Sequence, residues 1–188
     1  AAVEYAVVPG SLSVLTEPRW FDGELSHLTA VRAAVSLPVL LKDFLVEEYQ
    51  LVQGRLAGAD CALLIAALLG PKGLSRMLEA ADAFGIEALV EVHDADELSA
   101  AISAGARMIG VNNRNLKTLA VDLGVSRRLA PLAAGKGAVL VCESGLTNRA
   151  QLEEMSALGY RAFLIGTSFI KSGRPAEALA ELLAGAPR

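Results

Sequence analysis

The nine residues AGADCALLI, positions 57–65, hold the pattern on which the fold turns. A glycine closes an amphipathic segment, two variable residues follow, and then an apolar run begins. The pattern returns as FGIEALVEV at 84–92, AGARMIGVN at 104–112 and LGYRAFLIG at 158–166. Gly58, Gly85, Gly105 and Gly159 are spaced by 27, 20 and 54 residues, the last spacing being twice the first. A glycine at that place suits the left-handed residue that ends a helix. The unit therefore reads as helix, turn, strand, repeated at a period typical of a βα module.

Working outward, seven apolar runs stand at 11–15, 39–42, 61–66, 88–92, 108–112, 139–142 and 163–166. Each is short and nearly continuous in Val, Ile, Leu and Ala, as expected of strands buried on both faces of a parallel sheet. Helical periodicity fills the gaps. It is carried by Leu25, Leu28 and Val31, by Leu74, Met77, Leu78 and Ala81, by Leu98, Ala101 and Ile102, and by Leu152, Met155 and Leu158. Seven βα repeats predict a parallel α/β protein, either a TIM (β/α)8 barrel or a doubly wound open sheet. The evenly spaced repeats favour the barrel. The G-x-G-x-x-G first turn that often marks an open sheet does not occur. Residues 1–188 read as a single (β/α) barrel domain.

Composition narrows the function. Of 188 residues, 53% are hydrophobic and 20% charged, which suits a large core rather than disorder. Acids outnumber bases 21 to 17 and aromatics are only 5%, so neither a basic surface nor a stacking platform for nucleic acid is expected. The longest apolar stretch, 61–69, is about half a membrane span. The first eight residues lack a signal-peptide pattern. Cys61 and Cys142 each sit in a strand-like run without a nearby His or second Cys, which predicts buried thiols rather than a metal site or disulfide. A cytoplasmic protein is expected.

Barrel enzymes place their chemistry at the C-terminal ends of the strands. The runs here end in Thr16-Glu17-Pro18, Lys42-Asp43-Phe44, His93-Asp94, Asn112-Asn113-Arg114, Glu143-Ser144-Gly145 and Gly166-Thr167-Ser168. Polar groups converge on one rim while the strand interiors stay apolar. Lys42 follows an apolar run, and a partly desolvated lysine there could pass a proton or form a Schiff base. The plainer alternative is a solvated lysine paired with Asp43. Glu91 and Glu143 lie within or at the end of apolar strands, and a carboxylate facing the helix layer would be costly, so both are expected to point inward. His93 reads as the start of a loop before a helix capped by Asp94, not as a catalytic group. Gly145 and the Gly166-Thr167-Ser168 turn suit close approach to a phosphate, with Arg114 adding a charged contact.

Together these residues resemble the indole-3-glycerol phosphate synthase family of tryptophan biosynthesis. The resemblance is carried by LSVLTEPRWFDGEL at 12–25, LPVLLKDFLVEEYQ at 37–50, ALVEVHDADEL at 88–98, IGVNNRNLKTLAVDL at 109–123, ESGL at 143–146 and FLIGTSFIKS at 163–172. It implies a lyase that closes the pyrrole ring of 1-(2-carboxyphenylamino)-1-deoxyribulose 5-phosphate, losing CO₂ and water. Lys42 matches the general acid at the ketone, Glu91 the carboxylate doing acid–base work, Glu143 a second active-site carboxylate and Asn112 an orienting amide. Arg114, Ser144, Gly145, Gly166 and Thr167 match the phosphate side, while Phe44 and Leu64 are expected to wall the aromatic ring. The only partner implied is a small phosphosugar, with no metal or cofactor, nucleic acid or membrane.

Departures from the family pattern concern the start of the chain. The family's first strand, with its E-x-K-x-x-S-P-S segment, is not recognisable, so only strands 2–8 of the barrel are expected. The resemblance puts Ala1 partway through the first barrel helix. Seven strands would leave two open edges, unless another segment fills the gap, and open edges invite association. A complete barrel would be a monomer, whereas this chain would self-associate or turn over weakly. The alternatives are an impaired, self-associating fragment and another phosphosugar isomerase or aldolase barrel. Smaller departures are Leu41 before the lysine and Cys142 before Glu143.

Overall fold

The computed structural model describes residues 3–6 and 10–184. Eight strands form a closed barrel in chain order. Seven are parallel: β2 (Leu12–Leu15), β3 (Val39–Lys42), β4 (Cys61–Ile65), β5 (Glu87–Val92), β6 (Met108–Asn112), β7 (Val139–Glu143) and β8 (Ala162–Ile165). All seven fall on the apolar runs read from the sequence. Outside them run helices that include α2 (Leu25–Ala34), α4 (Ala66–Phe84), α5 (Ala95–Ser103), α6 (Gly124–Ala133) and α7 (Arg149–Ala157). The four repeat glycines all have positive φ, between 63° and 103°, directly at or after a helix end.

The start of the chain differs from expectation. Val3–Ala6 is not part of a helix but a strand, β1, pairing antiparallel with both β2 and β8. The two expected open edges are therefore joined through β1. Its direction has a simple cause. Only residues 7–11 separate β1 from β2, and a parallel neighbour needs a crossover of roughly a dozen residues or more.

Alternation along the strands divides the core in two. Leu40, Leu63, Ile65, Leu89, Val141 and Leu164 pack together inside the barrel. Val14, Leu41, Ala62, Leu64, Val90, Val111 and Cys142 belong to the larger core between barrel and helices. The inward set continues toward the C-terminal rim as Lys42 after Leu40, Glu91 after Leu89, Asn112 opposite Glu143, and Glu143 after Val141. The register thus delivers four polar side chains to one end of an apolar lumen.

Candidate active site

A cavity of about 1030 Å³ opens at this rim. Lys42, Phe44, Glu91, Asn112, Arg114, Ser144, Gly145, Gly166 and Thr167 all line it. Glu143 is 1% exposed and joins the site through Lys42, whose Nζ stands 3.6 Å from Glu143 Oε2. Asp43, the alternative partner considered for this lysine, accepts hydrogen bonds from Thr16 Oγ1 at 2.5 Å and from the Phe44 backbone N–H at 2.8 Å.

Leu64 is corrected by the structure. It is fully buried in the core between barrel and helices, and its neighbours Leu63 and Ile65 line the cavity instead. The cause is the twofold strand period, since adjacent residues point to opposite faces. The aromatic wall is built elsewhere as well. Trp20 and Phe21 line the cavity, and the Phe21 ring lies 6.3 Å from that of Phe44, tilted by 40°. They sit on the one-turn helix α1 (Pro18–Phe21), which the sequence reading did not assign a role. Pro18 occupies its first turn, and the Glu17 carboxylate accepts the backbone N–H groups of Arg19 and Trp20. That cap-and-proline signature is the signal that could have marked the helix.

The loop after β6 holds the phosphate-side candidates in place. Asn112 Oδ1 accepts the Arg114 backbone N–H at 2.9 Å, and Arg114 Nη1 donates to the Leu119 carbonyl at 3.1 Å. Asn113, 1% exposed, donates through Nδ2 to the carbonyls of Glu143 and Ser144, and its Oδ1 accepts the Ser126 N–H. Ser126 in turn meets Cys142 Sγ at 3.3 Å, and its carbonyl accepts the Tyr160 hydroxyl. Burial, partly offset by the Ser126 and Asn113 contacts, pushes the Cys142 thiol up; Cys61 is pushed up to about 12, also by burial. Both thiols are therefore neutral packing groups near pH 7, and both are unbridged. Ser144 and Gly145 both take positive φ, 63° and 85°, so the chain turns sharply at the cavity wall.

Two features were not legible in advance. Gly110 lies beside Glu143 so closely that a Cβ there would stand 1.8 Å from Oε1. Lys117 and Lys171 join Lys42 and Arg114 as cations lining the cavity. Among the described residues no group of three or more His, Cys, Asp and Glu side chains is placed to hold a metal ion. No helix among them is long and apolar enough to cross a membrane.

The chain that builds this cavity matches known proteins in sequence as well as in fold. The family model described as indole-3-glycerol phosphate synthase matches residues 1–182. This chain belongs to the indole-3-glycerol phosphate synthase family. It is 43% identical over 174 residues to the indole-3-glycerol phosphate synthase of Carboxydothermus hydrogenoformans, covering 93% of this chain and 66% of that protein. The synthases of Campylobacter concisus and Campylobacter curvus are 44% and 45% identical, over 90% and 86% of this chain. The chain spans 65% and 61% of those two relatives. The crystal structure of KGPDC from Streptococcus mutans superposes with a TM-score of 0.69 at 12% identity, covering 90% of this chain and 82% of that one. That likeness carries the barrel fold alone.

Proposed function

We propose that the cavity carries out the indole-3-glycerol phosphate synthase reaction, closing the ring of 1-(2-carboxyphenylamino)-1-deoxyribulose 5-phosphate with loss of CO₂ and water. The observation that carries the reading is the Lys42–Glu143 pair, an ammonium 3.6 Å from a buried carboxylate at the cavity wall. An ammonium held by a carboxylate is a proton donor, whereas a Schiff base needs the free amine. Lys42 therefore protonates the ketone oxygen as the ring carbon attacks. CO₂ leaves that carbon and restores the aromatic ring. Loss of water then needs a proton delivered to the hydroxyl and one removed from the ring, which is acid–base work for Glu91. Asn112 orients the substrate. The phosphate goes to Arg114, Ser144, Gly145, Gly166 and Thr167, and the aromatic ring to Phe44 with Trp20 and Phe21. Lys117 and Lys171 add attraction for a substrate bearing two anionic groups. A phosphorylated substrate does not cross membranes unaided, so the cytoplasm is the compartment.

The test is indole fluorescence on mixing the chain with this substrate. Lys42→Ala is expected to abolish ring closure and leave affinity for inorganic phosphate largely intact. Near-normal turnover in that variant overturns the assignment. A borohydride-trapped adduct at Lys42 would point to a Schiff-base aldolase instead.

A further inference from the structure

We propose that His93 is a positioning residue for Glu91, clamped in place by Glu97, and that it shares a proton with the Glu91 carboxylate. The inference rests on the acid–base role given to Glu91 above.

The clamp follows from local sequence. β5 delivers Glu91 to the lumen, and the chain leaves the strand at His93. Asp94 starts α5 by accepting the Glu97 N–H at 2.9 Å. The first turn swings Glu97 back over the strand end, where its Oε2 accepts the His93 backbone N–H at 2.7 Å and lies 3.3 Å from Nδ1. The ring is held from one side. On the other, Nε2 stands 3.4 Å from Glu91 Oε1.

Those last two atoms are both buried, and neither has a hydrogen-bond partner among the described residues. Two orphaned polar atoms facing each other are costly apart and favourable together. A catalytic contact of this length can shorten when the site closes on its substrate. With Nδ1–H committed to Glu97, a neutral ring turns its Nε2 lone pair toward Glu91. Repulsion is avoided when the ring takes up a second proton, so that an imidazolium Nε2–H faces the Glu91 carboxylate. A proton held there fixes the orientation of the carboxylate and can be passed to it during turnover.

The charged groups facing the ring are Glu97 on α5, Glu91 on β5 and Glu143 on β7. Burial alone would lower the imidazole pKa, but the Glu97 hydrogen bond and these three negative charges outweigh it and hold the pKa above 6.5. The imidazolium is the favoured form at the low end of the neutral range.

His27 and His93 are the two histidines of the chain, so NMR titration can resolve both, with His27→Asn assigning the signals. The midpoint of His93 is expected above 6.5 and to fall by about 0.5 units or more in both Glu97→Gln and Glu91→Gln. An unchanged midpoint in Glu91→Gln overturns the proposal and leaves His93 as a loop staple. This arm needs no turnover, so it decides the coupling even where Lys42→Ala sinks the ring-closure reading. In the kinetic arm, His93→Ala is expected to lower kcat about tenfold, less than the roughly hundredfold or more that a group doing the acid–base work itself contributes. KM should hardly move, the pH profile of kcat should shift, and His93→Gln should recover part of the loss. A wild-type pH profile in His93→Ala overturns the proposal as well.

Discussion

Gly110 and Glu143 occupy one space, and only one of them can have a side chain there. A Cβ at position 110 would stand 1.8 Å from Glu143 Oε1 and 3.0 Å from its Cδ. The cheapest relief is rotation of the carboxylate, which takes Oε2 away from Lys42. Gly110→Ala is therefore expected to cost about 1–3 kcal/mol in denaturant unfolding, yet to reduce kcat far more than that loss of stability would suggest. Wild-type kcat in this variant would show that the Lys42–Glu143 geometry does not matter. Leu64 is the opposite case. It belongs to the packed core outside the barrel, so Leu64→Ala should lower stability by about 2–5 kcal/mol and leave substrate KM unchanged. Leu63 and Ile65 are the residues of β4 whose replacement should alter KM. Lys42, Glu91 and Asn112 were legible as site candidates because a polar residue within or ending an apolar strand has one economical place to go. Leu64 was misread because LLI offers no polar mark of which face is which.

At the scale of elements, two helices that escaped the sequence reading did so for different reasons. α3 (Glu48–Ala57) buries only Leu51 and Gly54, and its start is set by a capping box between Glu47 and Gln50. α6 buries Ser126 among Leu129, Ala130 and Ala133, and carries Pro131. Ser126 is there because the β6 and β7 loops are tied to this helix through Asn113. Asn113→Ala would leave the Glu143 and Ser144 carbonyls and the Ser126 N–H without that partner. The expected cost is about 1–3 kcal/mol in thermal or denaturant unfolding. The Ser144–Gly145 turn should loosen with it, weakening inorganic phosphate binding in calorimetry. A variant that loses stability and keeps phosphate affinity would separate the network from the turn. Nothing in the sequence joins these residues into a network. Asn113, Ser126, Cys142 and Tyr160 lie on four segments, and nothing local predicts their meeting.

At the scale of the molecule, His93 links site chemistry to stability. Its folded pKa lies above 6.5, so the stability it contributes is fully present below that pH and is lost as pH rises through the folded value. The stability gap between wild type and His93→Asn should be widest below about pH 6.5 and narrow toward alkaline pH in thermal unfolding. A gap independent of pH would mean the ring acts by packing alone. Closure is the other whole-molecule property. The repeated glycine-to-strand joint already specified a parallel βα chain, because backbone conformation at a helix end and the apolar character of a buried strand are local properties. The convergence of polar strand ends on one rim was local for the same reason. The tertiary structure alone decided three things. It set β1 antiparallel between β2 and β8, since a short link cannot return a parallel strand. It chose the lumen face of a strand with no polar mark, such as β4, since strands buried on both sides lose the alternation that would show it. And it brought Glu97 and Glu91 to the two sides of His93, since which atoms meet across a ring depends on how a helix turn folds back over its strand, and composition along the chain does not encode that distance.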